Sequence, residues 1–313
     1  MSQQKLNSLV ETINQVIVGK DEQVKLLVTA LLAKGHVLLE DLPGMGKTVL
    51  AKTLAKTIGG SFNRLQFTSD LLPSDVVGMH YFNPKNGEFE LRRGPVFADV
   101  LLADEINRAT PRTQSGLLEC MEERQATIEG ITLPLSPTFF VMATQNPIES
   151  EGTYPLPEAQ LDRFLFKISM GYGNREDSRE ILRRFRVEET VAPVESVLSV
   201  EEIAALQKEV QGIHVSTAIE DYILDLTEAS RQHKSIEIGI SPRAMLALVR
   251  ASQAYAYVEG RNFVLPDDVK KVVPALFTHR IVLTMEAELH VTESEIVQEI
   301  LQSVPTPVEE GAR

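Results

Sequence analysis

Apolar residues recur at helical spacing through the first positions of the chain, at Leu6, Leu9, Val10, Ile13, Val16 and Ile17, and again at Val24, Leu27, Val28 and Leu31. Val18-Gly19-Lys20-Asp21 interrupts that stripe. The segment therefore reads as two helices around a turn, with Asp21 as the cap of the second. From position 37 the texture changes to short apolar runs separated by helical stretches. Runs at 37–40, 63–67, 99–103, 138–143 and 164–168 are five expected strands. Their brevity and continuous apolarity predict buried parallel strands joined by helical crossovers. Residues 71–97 carry Pro73, Gly78, Pro84, Gly87, Gly94 and Pro95; a structureless loop of that length is uncommon unless it has a function. Within it, Asn86-Gly87 signals a hairpin, and Glu129-Gly130 signals a second over 126–133. Residues 171–200 are charged, helical or linking, and Ala192-Pro193 marks a boundary. Beyond it only helical stripes are found: Ile219, Tyr222, Ile223 and Leu226; Met245, Leu248, Val249 and Ser252; Val269, Val272 and Val273. The expected fold is α/β. A five-stranded parallel sheet flanked by helices occupies 1–192, and a small helical domain occupies 193–313, frayed from 305.

Composition narrows the function classes. The 313 residues are 43% hydrophobic and 24% charged, which excludes wholesale disorder. The formal net charge of −13 argues against a sequence-independent grip on nucleic acid, which rests on dense Lys and Arg. The start lacks an apolar signal core. The greasiest early run, 26–33, is far short of the ~20 apolar residues a membrane helix needs. With a single cysteine, Cys120, a reducing, cytoplasmic setting is expected. Cys120 lies near Leu117 and Met121 and reads as a small buried residue rather than a nucleophile. The six histidines show no metal-ligand spacing, and the Gly-x-Ser-x-Gly elbow of hydrolases is absent. Arg92-Arg93 reads as a solvated charge pair, with an acidic client or nucleic acid as the alternative.

The sharpest local signal is the run Asp41-Leu42-Pro43-Gly44-Met45-Gly46-Lys47-Thr48-Val49, a glycine-containing turn between a strand and a helix. Gly44 and Gly46 let the backbone curl so that successive N–H groups point inward, and the following helix adds its positive end; together they suit a di- or triphosphate. Lys47 suits the β- and γ-phosphates, and the Thr48 hydroxyl suits Mg²⁺. The usual pattern has glycine where this chain has Asp41; aspartate tolerates left-handed backbone angles, so the turn survives. A surface turn ending in Gly-Lys-Thr is the rival reading. Further on, the apolar run at 99–103 ends in Asp104-Glu105. A parallel strand there delivers both carboxylates to the same crevice, Asp104 for Mg²⁺ and Glu105 to orient an attacking water. The alternative is a strand end capped by solvated acids. A third strand ends in Thr144-Gln145-Asn146-Pro147, where Asn146 either touches the γ-phosphate or makes a plain Asn-Pro turn. Arg163, at a helix end, locally reads as a partner of Asp162 or Glu158.

These pieces, in this order and at these spacings, resemble the AAA+ ATPases and, within them, the MoxR family. The strings that carry the resemblance are Leu39-Glu40-Asp41-Leu42-Pro43-Gly44-Met45-Gly46-Lys47-Thr48, Ala103-Asp104-Glu105-Ile106-Asn107-Arg108-Ala109, Leu118-Glu119-Cys120-Met121-Glu122-Glu123-Arg124-Gln125, Ala143-Thr144-Gln145-Asn146-Pro147 and Tyr154-Pro155-Leu156-Pro157-Glu158-Ala159-Gln160-Leu161-Asp162-Arg163-Phe164. The resemblance implies a phosphate-loop AAA+ core with a C-terminal helical lid, Mg-ATP hydrolysis, and a homo-oligomeric ring, expected as a hexamer. It puts Val18 and Gly19 where the adenine is contacted. It makes Arg163 the arginine finger that completes a neighbouring subunit's site, and Arg243 the second sensor, with cis or trans action open. Locally, Ser241-Pro242 reads only as a helix cap and first turn, with Arg243 on a solvated face. The two hairpins resemble this branch's inserts, which face the pore or a client. The family implies a von Willebrand factor A-domain partner and a client protein complex. Two other functions stay open on the residues alone: a nucleic-acid motor, against which the charge speaks, and a nucleotide-gated switch with little hydrolysis, against which Glu105 and Arg163 speak.

Overall fold

The structure, a computed structural model, describes residues 2–40, 44–146, 152–187 and 194–307. The chain opens with α1 (Ser2–Val16) and α2 (Asp21–Leu32), followed by β1 (Val37–Glu40), α3 (Lys47–Thr57) and β2 (Phe62–Gln66). The segment expected at 71–97 is a short helix, α4 (Pro73–Val77), and a hairpin of β3 (Gly78–Asn83) and β4 (Glu88–Arg93). Next come β5 (Val100–Asp104), a tight 3₁₀ turn at Ile106–Arg108 and α5 (Pro111–Glu123). The second hairpin is β6 (Gln125–Ile128) and β7 (Ile131–Pro134). Its two turn residues, Glu129 (φ 49°) and Gly130 (φ 87°), are both left-handed, the geometry that matches the twist of paired strands. After β8 (Phe140–Gln145), α6 (Glu158–Leu161), β9 (Phe166–Ile168) and α7 (Arg175–Val187), the chain continues as α8 (Val200–Val210), α9 (Thr217–Gln232), β10 (Ile236–Ile238), α10 (Pro242–Val258), α11 (Pro266–Phe277), β11 (Val282–Leu283) and α12 (Glu293–Ser303).

The five sheet strands run parallel in the order β2-β5-β8-β1-β9. Alternation along each strand splits the interior in two, because successive side chains point to opposite faces. Val37, Leu39, Val100, Leu102, Phe140 and Met142 face a core shared with α1, α2, α3 and the C-terminal helices. Leu38, Leu101, Ala103, Val141 and Ala143 face a second core with Leu117, Leu118, Cys120 and Met121 of α5. Both faces are covered along β1, β5 and β8, which is why those strands read as apolar runs; β2, at the sheet edge, is largely exposed and sets Asn63, Arg64 and Gln66 among its apolar residues, contrary to the expectation of a buried strand. The register brings the tips of β1, β5 and β8 level: Glu40 lies opposite Gln145, and Ala103 opposite Ala143.

The structure corrects several sequence expectations. The second through fifth strands begin one or two residues away from the expected positions. Asp99 lies just outside β5, where its carboxylate accepts bonds from the Ser61 N–H (2.8 Å) and hydroxyl (2.7 Å). Asp21 is the first helical residue of α2 rather than its cap; Lys20 holds the cap position, without a side-chain cap bond. The C-terminal part is not wholly helical, since β10 and β11 pair antiparallel. Ala192-Pro193, Asp41, Leu42, Pro43, Pro147 and the tail from 308 lie outside the described residues. Among the described residues no helix is long and apolar enough to cross a membrane.

Candidate functional site

Three strand tips converge on one cleft of about 370 Å³. From the side of β1, Gly44 (φ 84°) and Gly46 (φ 80°) take left-handed backbone angles, and a side chain built on either would point into open space. Gly46 caps α3, which begins at Lys47, so the positive end of the helix lies at Lys47 and Thr48. β5 contributes Asp104 and Glu105, and β8 contributes Thr144 and buried Asn146. Met45 and Val49 complete the lining on the α3 side. Of the expected phosphate-binding residues, Gly44 to Val49 are thus together with Asp104, Glu105 and Asn146, while Asp41 and Pro43 are outside the described residues.

The polar contacts of the cleft involve three residues that the sequence strings did not single out. The buried Thr144 hydroxyl donates to Asp104 Oδ1 (2.7 Å) and accepts the Glu105 N–H (2.8 Å). It ties the two acidic residues to the neighbouring strand. On the edge strand β2, Arg64 donates to Asp104 Oδ2 from Nε (2.9 Å) and Nη2 (2.6 Å), and reaches Gln66 (3.3 Å). Arg64 and Gln66 are two apart on a strand paired with β5, Gln66 directly opposite Asp104. The sequence shows polar residues two apart in the expected second strand, but not that this strand pairs beside Asp104. Glu105 holds a left-handed backbone (φ 56°), and its carboxylate pairs with Arg108 (2.8 Å). Thr48 and Asp104 supply a hydroxyl and a carboxylate in one cleft, hard oxygen donors of the kind Mg²⁺ takes. The open cradle at Gly44 and Gly46 suits phosphate oxygens.

Arg163 and Arg243 are elsewhere. They line a second cavity of about 740 Å³, and among the described residues none lines both cavities. Arg163 pairs with Glu122 of α5 (2.8 Å), not with Asp162 or Glu158 as local reading suggested. Arg243 is not simply solvated: it also meets Glu122 (3.1 Å) and approaches Asp162 (3.8 Å). Asp162 accepts from Arg280 (2.6 Å). Burial draws the Arg280 guanidinium below its usual range, and the bond to Asp162 opposes this. His36, also on this cavity, is locked neutral. Val141 N–H donates to its Nδ1 (3.0 Å), Nε2 faces the Met121 carbonyl (3.1 Å), and burial, then the charge of Arg124, lowers its pKa to about 3. Burial likewise pushes the Cys120 thiol up to about 12, as expected of an inert residue. Val18 and Gly19 line neither cavity. They form the turn between α1 and α2, where Gly19 (φ 67°) lies so close to Asp177 that a Cβ would fall 2.2 Å from its carboxyl carbon.

A family model described as "ATPase family associated with various cellular activities (AAA)" matches residues 36–166, and one described as "AAA lid domain" matches 228–300. The chain is 49% identical to YeaC of Bacillus subtilis, over 98% of this chain and 96% of that protein. It is 44% identical to Chaperone MoxR1 of Mycobacterium tuberculosis, over 94% of this chain and 80% of the relative. With Protein MoxR of Methylorubrum extorquens it shares 31% identity over 94% and 93% of the two chains. A crystal structure from Cytophaga hutchinsonii, 39% identical, superposes with a TM-score of 0.91 and covers 98% of this chain and 96% of that one.

Proposed function

The chain belongs to the MoxR family of AAA+ ATPases, and from that premise we propose that it is a ring-forming Mg-ATP hydrolase that remodels or matures client proteins. One observation carries the reading. Lys47, Thr48, Asp104, Glu105 and Asn146 share one cleft, while Arg163 and Arg243 lie together on another cavity. Such a division leaves Arg163 and Arg243 away from their own chain's cleft, where the Arg64 guanidinium is already bonded to Asp104, which suits an active site closed between neighbouring protomers.

In this reading the first-turn N–H groups of α3 and Lys47 hold the triphosphate. Mg²⁺, held from Thr48 and Asp104, neutralises phosphate charge when bound. Thr144 keeps the Asp104 carboxylate aimed, and Asp104, now bonded to Arg64, would be the carboxylate that holds the cation. Glu105 leaves Arg108 to orient the attacking water, and Asn146 steadies the same water or the γ-phosphate. Arg163 leaves Glu122 and reaches the neighbour's γ-phosphate, where the transition state spreads negative charge; known arginine fingers are worth on the order of 10³–10⁵ in rate. Val18 and Gly19 flank the adenine. Arg243, beside Arg163, acts on the same foreign nucleotide. The mycobacterial relative's name, Chaperone MoxR1, supports action on client proteins. A von Willebrand factor A-domain partner completes the proposal, carried by the family resemblance.

Two variants test it. Glu105→Gln should bind ATP and lose turnover. Arg163→Ala should keep nucleotide affinity and assembly and lose turnover by about 10³-fold. Wild-type hydrolysis by either variant in assembled protein would overturn the assignment.

A further inference from the structure

We propose that Arg280 is a positioning residue for Arg163, coupling the lid of one subunit to the arginine that serves its neighbour. The proposal rests on Arg163 acting in trans. Arg280 follows α11 in the segment matched by the lid model, and its side chain is 4% exposed. All five guanidinium N–H groups are used. Nε donates to Asp162 Oδ1 (2.6 Å), and Nη2 to the carbonyls of Asp162 (3.1 Å) and Phe164 (2.6 Å). Nη1 donates to the carbonyls of Leu165 (3.0 Å) and of Leu276 in α11 (2.6 Å). Three of the five bonds therefore land on the residues immediately flanking Arg163, and a fourth on Leu165, one position further along.

The preceding residue joins the same grip: His279 Nε2 sits 3.0 Å from the Phe164 carbonyl. Apolar packing alone would hold a lid to a core. A buried cation is a costly way to do so, because desolvation offsets the attraction of its partner. What the planar fork adds is orientation, since it fixes the peptide groups on both sides of one residue at once. The Arg163 side chain itself is held by Glu122, which also takes Arg243 from α10 of the lid. A lid that shifts with nucleotide in its own subunit thus carries Arg163 with it. The contact transmits one subunit's nucleotide state to hydrolysis next door.

The test uses full-length Arg280→Lys, which keeps the charge and loses the fork, and Asp162→Asn, which removes the carboxylate half of the grip and carries the test if the first variant does not fold. Each should assemble, bind a fluorescent ATP analogue with wild-type affinity, and lose kcat by up to about 10²-fold, the cost of misplacing a reacting group. Each is then mixed with Glu105→Gln subunits, which cannot hydrolyse and carry an intact Arg163 and Arg280. Turnover should rise well above the mean of the two separate proteins, because the Glu105→Gln subunits supply correctly held arginines to the variants' intact clefts. Arg163→Ala mixed the same way is the control. Unchanged kcat in both variants overturns the proposal. So does recovery with Arg163→Ala but not with the Arg280 and Asp162 variants, which would assign Arg280 to its own subunit's site or to folding. Recovery with none of them overturns the action of Arg163 in trans, and the proposal falls with it.

Discussion

At Thr144 one hydroxyl serves two acidic residues, accepting the Glu105 N–H and donating to Asp104. Thr144→Val removes both bonds without changing the side chain's shape. It should cost about 1–3 kcal/mol in stability, the penalty for stranding buried polar groups. It should also lower turnover more than nucleotide affinity, as denaturant unfolding and steady-state kinetics would report. A second residue-scale prediction concerns pH. His36 has a folded pKa of about 3 against an ordinary 6.5, and His279 is also well lowered, by burial and then by Arg280. The folded state holds fewer protons than the unfolded one between those limits, so stability is complete above about pH 6.5 and falls as pH drops toward 3. Each histidine steepens that fall by up to about 1.4 kcal/mol per pH unit. His36→Gln should flatten the slope by one proton, whatever it does to the midpoint at pH 7; an unchanged slope would refute the locked neutral ring. Lys47, Thr48, Asp104, Glu105 and Asn146 were legible in the sequence because each follows an apolar run that must end in a crevice. Arg64, Thr144 and Arg280 were not. Their partners lie 40 to 118 positions away and are joined by strand pairing or lid docking, which leaves no periodic trace.

Among the elements, the buried strands β1, β5 and β8 were readable to within two residues, since a strand covered on both faces has no polar alternation to blur it. Both hairpins were readable from their turn dipeptides. The pair β10 and β11, three and two residues long, is too short to show a period inside helical surroundings. α4 was hidden in the same way, at five residues. The hairpins also meet each other: His80 of β3 lies 3.1 Å from the Glu129 carboxylate in the turn between β6 and β7. Phe82 and Phe89 stack edge-on at 5.5 Å on the first hairpin while remaining more than half exposed. Gly130→Ala should strain the left-handed turn position and cost about 1 kcal/mol. Faster amide exchange confined to 125–134, with nucleotide affinity unchanged, is the expected signature. Slower exchange there, or lost nucleotide binding, would contradict an insert that folds apart from the cleft.

At the scale of the whole molecule, the proposed closing of each cleft by a neighbour's arginines would make activity a property of the assembly. Specific activity per chain should fall on dilution as subunits part, by mass action, and recover on concentration. A specific activity independent of concentration, in protein shown to dissociate, would be incompatible with a shared site. Charge was informative here only by exclusion, since −13 spread over the sequence says nothing about the arginines gathered on the second cavity. The hydrophobic interior is no more local: α2 packs on α10, and one apolar cluster runs from the sheet into the C-terminal helices, so a swing of those helices is resisted by shared packing as well as by the Arg280 fork. Cys120 opens a way to watch that swing. The chain's sole sulfhydryl is walled in and reluctant to ionise, so maleimide dyes meet a silent background in the native protein. Thiols engineered in pairs, one on the exposed tip of a hairpin and one on the lid, would accept fluorophores without deleting any natural residue, and energy transfer between them could clock each catalytic cycle in real time.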